Sequence, residues 1–182
     1  MAALVVVLDG CSAGAGQPTG DRSAPVSSVS VPADLTSPVH NPKNLVGTSP
    51  CDLIPPAQLA NEAIDLPARA QDVLGAPGCV WDNKAHTREI GVYVEIGKEV
   101  LRNVYAQRST FPIFEVTQVA GYPAVRTKDL PDGTSCTFRV AAADRQTFVI
   151  DFTSLRQGLE EPCGPARELA EAVLANLPPL KG

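Results

Sequence analysis

Every aromatic side chain of this 182-residue chain lies between Trp81 and Phe152, while Pro, Gly, Ser and Thr crowd the first fifty residues. Large apolar side chains dominate core burial. The packed centre must therefore be built from that middle stretch, with the flanks laid around it. The length suits one domain plus appendages.

The balance of charge is mildly acidic, with 15 basic against 20 acidic residues. A nucleic-acid partner would call for a basic stripe to meet phosphates, and none is present. No run of Lys and Arg suggests electrostatic docking to an anionic lipid surface.

The N-terminus reads as an address. Ala2–Leu8 is a short apolar run of the kind that opens a secretory signal, too short to span a bilayer. Leu8-Asp9-Gly10-Cys11 then resembles a bacterial lipobox, in which the signal is cut before the Cys and the Cys is acylated. That predicts a signal over 1–10 and a lipid on Cys11, with the membrane as the partner it reaches. Two features depart from the pattern: Asp9 stands where a small uncharged residue is usual, and no Lys or Arg precedes the apolar run. They point to a start upstream of Met1 or to a poorly processed signal.

Residues 12–50 hold six Pro, four Gly, seven Ser and three Thr. Such a tract buries too little apolar surface to offset its ordering entropy. The expectation is a lipid-anchored flexible linker over 11–48, with His40 solvated in it, and a globular domain over 49–182.

Within the domain, Pro55-Pro56 suits a first helical turn and starts a short helix near 56–63. "LPARAQDVLGAPG" has no clean period and reads as a loop with one helical turn. "GCVWDN" and "REIGVYVEIG" read as strands joined through the polar Asp82–His86 connection. Val100, Leu101, Val104 and Tyr105 mark an amphipathic helix. "FEVTQV", "PAVRTK", "SCTFRVAA" and "TFVIDFTS" are β-rich, and turns fall at 120–122, 131–133 and 143–145. Phe148, Ile150 and Phe152 alternate onto one sheet face. Ala166, Leu169, Ala170, Val173, Leu174 and Leu177 trace one face of a closing helix, and Glu160-Glu161 suit the dipole at its start. The sum is an α+β fold: an antiparallel sheet of about five to six strands, with helices packed mainly on one face.

Apart from Cys11, the cysteines are Cys51, Cys79, Cys136 and Cys163. An even set in an exported domain implies two disulfides. Three connectivities are open, and the nested pairing of 51 with 163 and 79 with 136 is one of them. The sequential pairing, 51 with 79 and 136 with 163, is favoured because each bridge then ties a helix start to a strand. Structural zinc draws its ligands in close pairs, and these cysteines stand far apart, so no metal or other cofactor is expected.

Chemistry is harder to find. His86 sits in a predicted turn and reads as solvated. No nucleophile elbow, phosphate loop or dinucleotide fingerprint occurs. Trp81 shares the strand face of Cys79 and reads as a core anchor before a ligand platform. Tyr122, in "VAGYPAV", is a candidate contact residue, with packing against its turn the plainer reading.

The lipobox, "CDLIPPAQLA", "GCVWD", "GYPAV", "SCTFRVA" and "EPCGPARELAEAVLANL" together resemble an actinobacterial family. Its members are secreted lipoproteins carrying the domain of unknown function numbered 3558. The resemblance implies a signal, a linker, an α+β domain and two disulfides, and no activity. The expectation is a non-catalytic envelope module on the outer face of the membrane or in the cell wall. It would bind an envelope protein, a lipid or a small molecule, at the sheet face opposite the helices or in a cleft beside the 99–108 helix. The alternative is a wall-acting hydrolase or other envelope enzyme.

Overall fold

The computed structural model describes residues 30–155 and 161–181. The expected signal, Cys11, the first part of the expected linker and Glu160 lie outside the described residues.

One antiparallel sheet organises the domain. Its strands are β1 (Arg69–Val73), β2 (Ala76–Asp82), β3 (Arg88–Ile96), β4 (Ile113–Val119), β5 (Tyr122–Lys128), β6 (Ser135–Ala143) and β7 (Gln146–Ser154). Their spatial order is β1-β2-β3-β7-β6-β5-β4. Two meanders, β1 to β3 and β4 to β7, thus meet along the β3–β7 seam. That seam runs in register from Arg88 opposite Ser154 to Ile96 opposite Gln146. The helices are α1 (Ala33–Thr36), α2 (Pro56–Asn61), α3 (Val100–Ala106) and α4 (Cys163–Asn176). Pro56 opens α2, where its missing N–H costs nothing.

Alternation along the central strands separates two faces. Ile90, Val92 and Val94 of β3 oppose Phe152, Ile150 and Phe148 of β7. With Phe138 and Val140 of β6 they form the main core, closed by Ala166, Leu169, Ala170 and Val173 of α4. Leu53 and Ile54, just before α2, pack into the same core. A second, smaller cluster joins Leu35 of α1 and Leu101 of α3 to Val125 on the opposite sheet face.

Seven strands correct the expected five to six. The added one, β1, reads from its residues as a loop with a helical turn, because every residue of it is exposed. With no buried face, Arg69–Val73 has no alternation to display. It is held by backbone pairing to β2, from Arg69 opposite Val80 to Val73 opposite Ala76, around a Leu74-Gly75 turn.

The folded unit also starts earlier than residue 49. Leu35 and Leu45 are buried, and the Leu45 N–H donates to Gln146 Oε1 at 2.7 Å. The Lys43 N–H donates to the Ala142 carbonyl at 2.8 Å, and Lys43 bridges Pro179. Residues 30–48 are a strap across the sheet, not a free linker. Composition averaged over the tract hides the few apolar side chains that find sites. The Pro residues of the strap also lower the entropy lost on docking.

Candidate functional site

The two disulfides join Cys51 to Cys79 and Cys136 to Cys163, the sequential pairing. The first ties the 3₁₀ turn over Pro50–Asp52 to β2, and the second ties β6 to the start of α4. Arg126 Nη1 stands 3.5 Å from Cys163 Sγ. Glu161 Oε2 accepts from the Cys163 N–H at 2.9 Å, satisfying a donor at the N-terminus of α4. Both bridges lie in or against the core and position strands.

Trp81 and Tyr122 are both buried. Trp81 shares its face and its core cluster with Cys79. The Tyr122 hydroxyl donates to the Asn41 carbonyl at 2.8 Å, so the ring pins the strap to the end of β5. The Ala120-Gly121 connection before it is a two-residue turn with positive φ at both positions, 48° and 83°, as a tight hairpin requires. His86 is exposed at the tip of the β2–β3 hairpin. Among the described residues no group of three or more His, Cys, Asp or Glu is placed to hold a metal ion. No helix among them is long and apolar enough to cross a membrane.

A cleft of about 490 Å³ opens between α3, the strap and the β6–β7 turn. Its floor is apolar, from Leu35, Val39, Val100, Leu101, Pro123 and Ala141. Lys98, Arg102, Arg145, Glu99 and Asp144 ring the mouth. Local contacts hold that rim in place. Lys98 Nζ lies 2.9 Å from Glu95 Oε2, and Arg102 Nη1 lies 3.2 Å from Glu99 Oε2. The Arg145 guanidinium donates twice to the Gly97 carbonyl, and the Gly97 N–H returns a bond to the Arg145 carbonyl at 2.8 Å. The β3–α3 connection is thereby locked to the β6–β7 turn. The cleft thus has a largely apolar floor, with Thr147 a buried polar group in its lining, and charged side chains at its mouth.

The same sheet face carries a polar array nearer its centre. Arg139 Nη1 donates to Thr127 Oγ1 at 2.9 Å, and the Phe111 ring lies 5.8 Å from the guanidinium. Burial pushes the Asp151 carboxyl above its ordinary range; Arg139 opposes that shift and Asp129 adds to it. Glu89 is raised too, first by burial and then by Asp82 and Asp151 beside it. Asp82 itself is paired with Arg69 at 2.6 Å. Neither Glu89 nor Asp151 lines the cleft.

The cleft lies beside α3, one of the two places the sequence suggests, and is walled by a strap that the sequence reading takes as linker. Val31, Leu35 and Val39 recur every four residues in the otherwise polar tract, and that spacing was the available signal. Lys98 and Arg145 carried none, since their meeting depends on the β3–β7 register.

Over residues 6–176 the chain matches a family described as a protein of unknown function, DUF3558. No curated protein and no solved structure matches it.

Proposed function

The chain belongs to that family, DUF3558, and we propose that it is an exported, lipid-anchored envelope protein whose domain binds a small amphiphile. The family match begins at residue 6 and so takes in Cys11. Pairing of the other four cysteines leaves Cys11 as the one outside the two disulfides, in keeping with a sulfur reserved for lipid. Two disulfides also favour an oxidising compartment.

The cleft beside α3 is the observation that carries the binding reading. Its volume of about 490 Å³ falls within the range of small-molecule sites.

Titration of the full chain with a fluorescent fatty-acid analogue tests this. Saturable binding is expected, weakened at least tenfold by Ala141→Leu, which fills the floor, with the melting temperature little changed. Absence of saturable binding, or equal binding by the two proteins, overturns the reading. For the anchor, Cys11→Ser should move the protein expressed in its native host from the membrane fraction to the soluble fraction. A variant that stays with the membrane removes it.

A further inference from the structure

Leu74 is 98% exposed, at the tip of the β1–β2 hairpin. Its backbone is left-handed, with φ 53°, followed by Gly75 at 79°. A two-residue turn of this kind favours Asn or Gly at its first position, and a bulky side chain there is strained. Leu is thus unfavourable twice, in its backbone and in its hydration, which marks a side chain kept for something outside the fold. The tip stands clear of the molecule: a Cβ added at Gly75, or at Gly97 nearby, meets nothing within 4 Å.

Apolar side chains flank the tip on both faces of the sheet, because the register sets Val73 on the face of Tyr93 and Ile96 on the face of Val94. Val73 and Ile96 are exposed as well. The antiparallel register runs β2 back from Gly78 opposite Tyr93, which brings the Leu74-Gly75 turn to the Ile96-Gly97 end of β3. That end also carries Arg145, bonded to Gly97, and the mouth of the amphiphile cleft with Lys98 and Arg102. Lys98, Arg102 and Arg145 stand there against Asp72, Glu95, Glu99 and Asp144. This end is not a basic patch, so any docking must be driven by the apolar side chains.

We propose that the Leu74 tip inserts into the interface of a phospholipid bilayer and turns the cleft mouth towards the membrane. A projecting apolar tip suits a fluid interface, which closes around it without a preformed pocket. The chain outside the structure supplies the remaining argument. Residues 12–29 separate Cys11 from Ser30, a stretch that reaches at most about 65 Å. A domain held within that reach of a bilayer meets it at high effective concentration, so one or two inserted side chains suffice to orient it. The proposal rests on the lipid-anchor reading of the proposed function, but the experiment below attaches the chain chemically and does not depend on natural lipidation or on ligand binding.

The full chain is coupled through Cys11 to a maleimide-bearing phospholipid in phosphatidylcholine vesicles, with Leu74→Trp as the probe. The native Trp81 is buried in the core and supplies a constant background. Lipid with brominated acyl chains should quench the Leu74→Trp emission at least twofold more than that of the parent chain, with a blue shift on coupling. A control, Leu130→Trp, places the probe in the β5–β6 connection at the other end of the sheet, beside Asp129 and Asp132. It should stay unquenched. Quenching no greater than in the parent chain overturns the proposal, as does equal quenching at both ends. A blue shift that grows with protein concentration in the absence of vesicles assigns the tip to a second copy of the chain, and overturns it too. The fatty-acid titration is read separately, so failure here is distinct from failure of the cleft.

Discussion

Tyr93 covers Gly78, its register partner across β2 and β3. A Cβ built on Gly78 would stand 2.5 Å from Tyr93 Cδ1 and 2.9 Å from the Val92 carbonyl oxygen. The same ring reaches Gly91, where a Cβ would lie 3.0 Å from the Tyr93 hydroxyl. Gln71 Nε2 donates to that hydroxyl at 2.8 Å, tying exposed β1 to the sheet. Two glycines thus make room for one tyrosine, which protects strands that would otherwise be weakened.

Gly78→Ala should therefore destabilise the fold by about 1–3 kcal/mol, as overpacking does. Denaturant unfolding measures it. Tyr93→Ala removes the clash with the ring, so the double variant should lose less than the sum of the singles. Strict additivity would show that the two residues are not coupled.

Leu45→Ala should cost about 2–5 kcal/mol, the range for a fully buried leucine. Leu45 is 1% exposed and lies in the tract whose composition suggests a linker. A loss below 0.5 kcal/mol, the scale of a surface substitution, would return residues 30–48 to the status of a tether.

Cys136→Ala with Cys163→Ala opens a bridge of sequence separation 27. The chain-entropy model puts the loss on the order of 3–4 kcal/mol. Peptide mapping without reductant should recover the 51–79 and 136–163 pairs, and nested pairs would overturn the topology of the bridges.

The pH response follows from Glu89 and Asp151. Both carboxyls are raised in the folded protein above ordinary values of 4.5 and 3.8. The folded state thus holds more protons than the unfolded state just above those values, and stability from these groups falls as pH rises through that window. Asp82 and Asp129 reinforce the effect; Arg69 and Arg139 oppose it. A Glu89→Gln, Asp151→Asn protein should melt a few degrees above the parent at pH 7.5, with the gap closing towards pH 5. A gap that widens on acidification would reverse the sign of the argument.

Much of the fold was legible because its elements obey local rules. Phe148, Ile150 and Phe152 alternate, and all three are buried. The closing helix shows its apolar stripe, and α4 buries Ala166, Leu169, Ala170, Val173 and Leu174 as that stripe requires. The turns over 120–121 and 144–145 fall where Ala-Gly and Asp-Arg interrupt the β-rich runs. Strand β1 was illegible for the converse reason: Arg69–Val73 buries nothing, so no period marks it. Of the candidate site, its place beside α3 could be read and its wall could not. Leu35 and Val39 line one cleft with Ala141 and Arg145, about a hundred residues away in the chain.

The amino-acid sequence alone determined strands β2 to β7, helices α2 to α4, the alternating core of the central strands and the even set of four cysteines that pair. Those properties follow from periodicity, propensity and turn chemistry within a few residues. Tertiary structure decided the rest. Pairing of β3 with β7 joined the two meanders, brought Gly97 to Arg145 and so made the cleft mouth. The same sheet offered apolar sites that captured residues 30–48, and exposed the Leu74 tip at its end. These outcomes depend on contacts between segments far apart in the chain, whose energies no local pattern records.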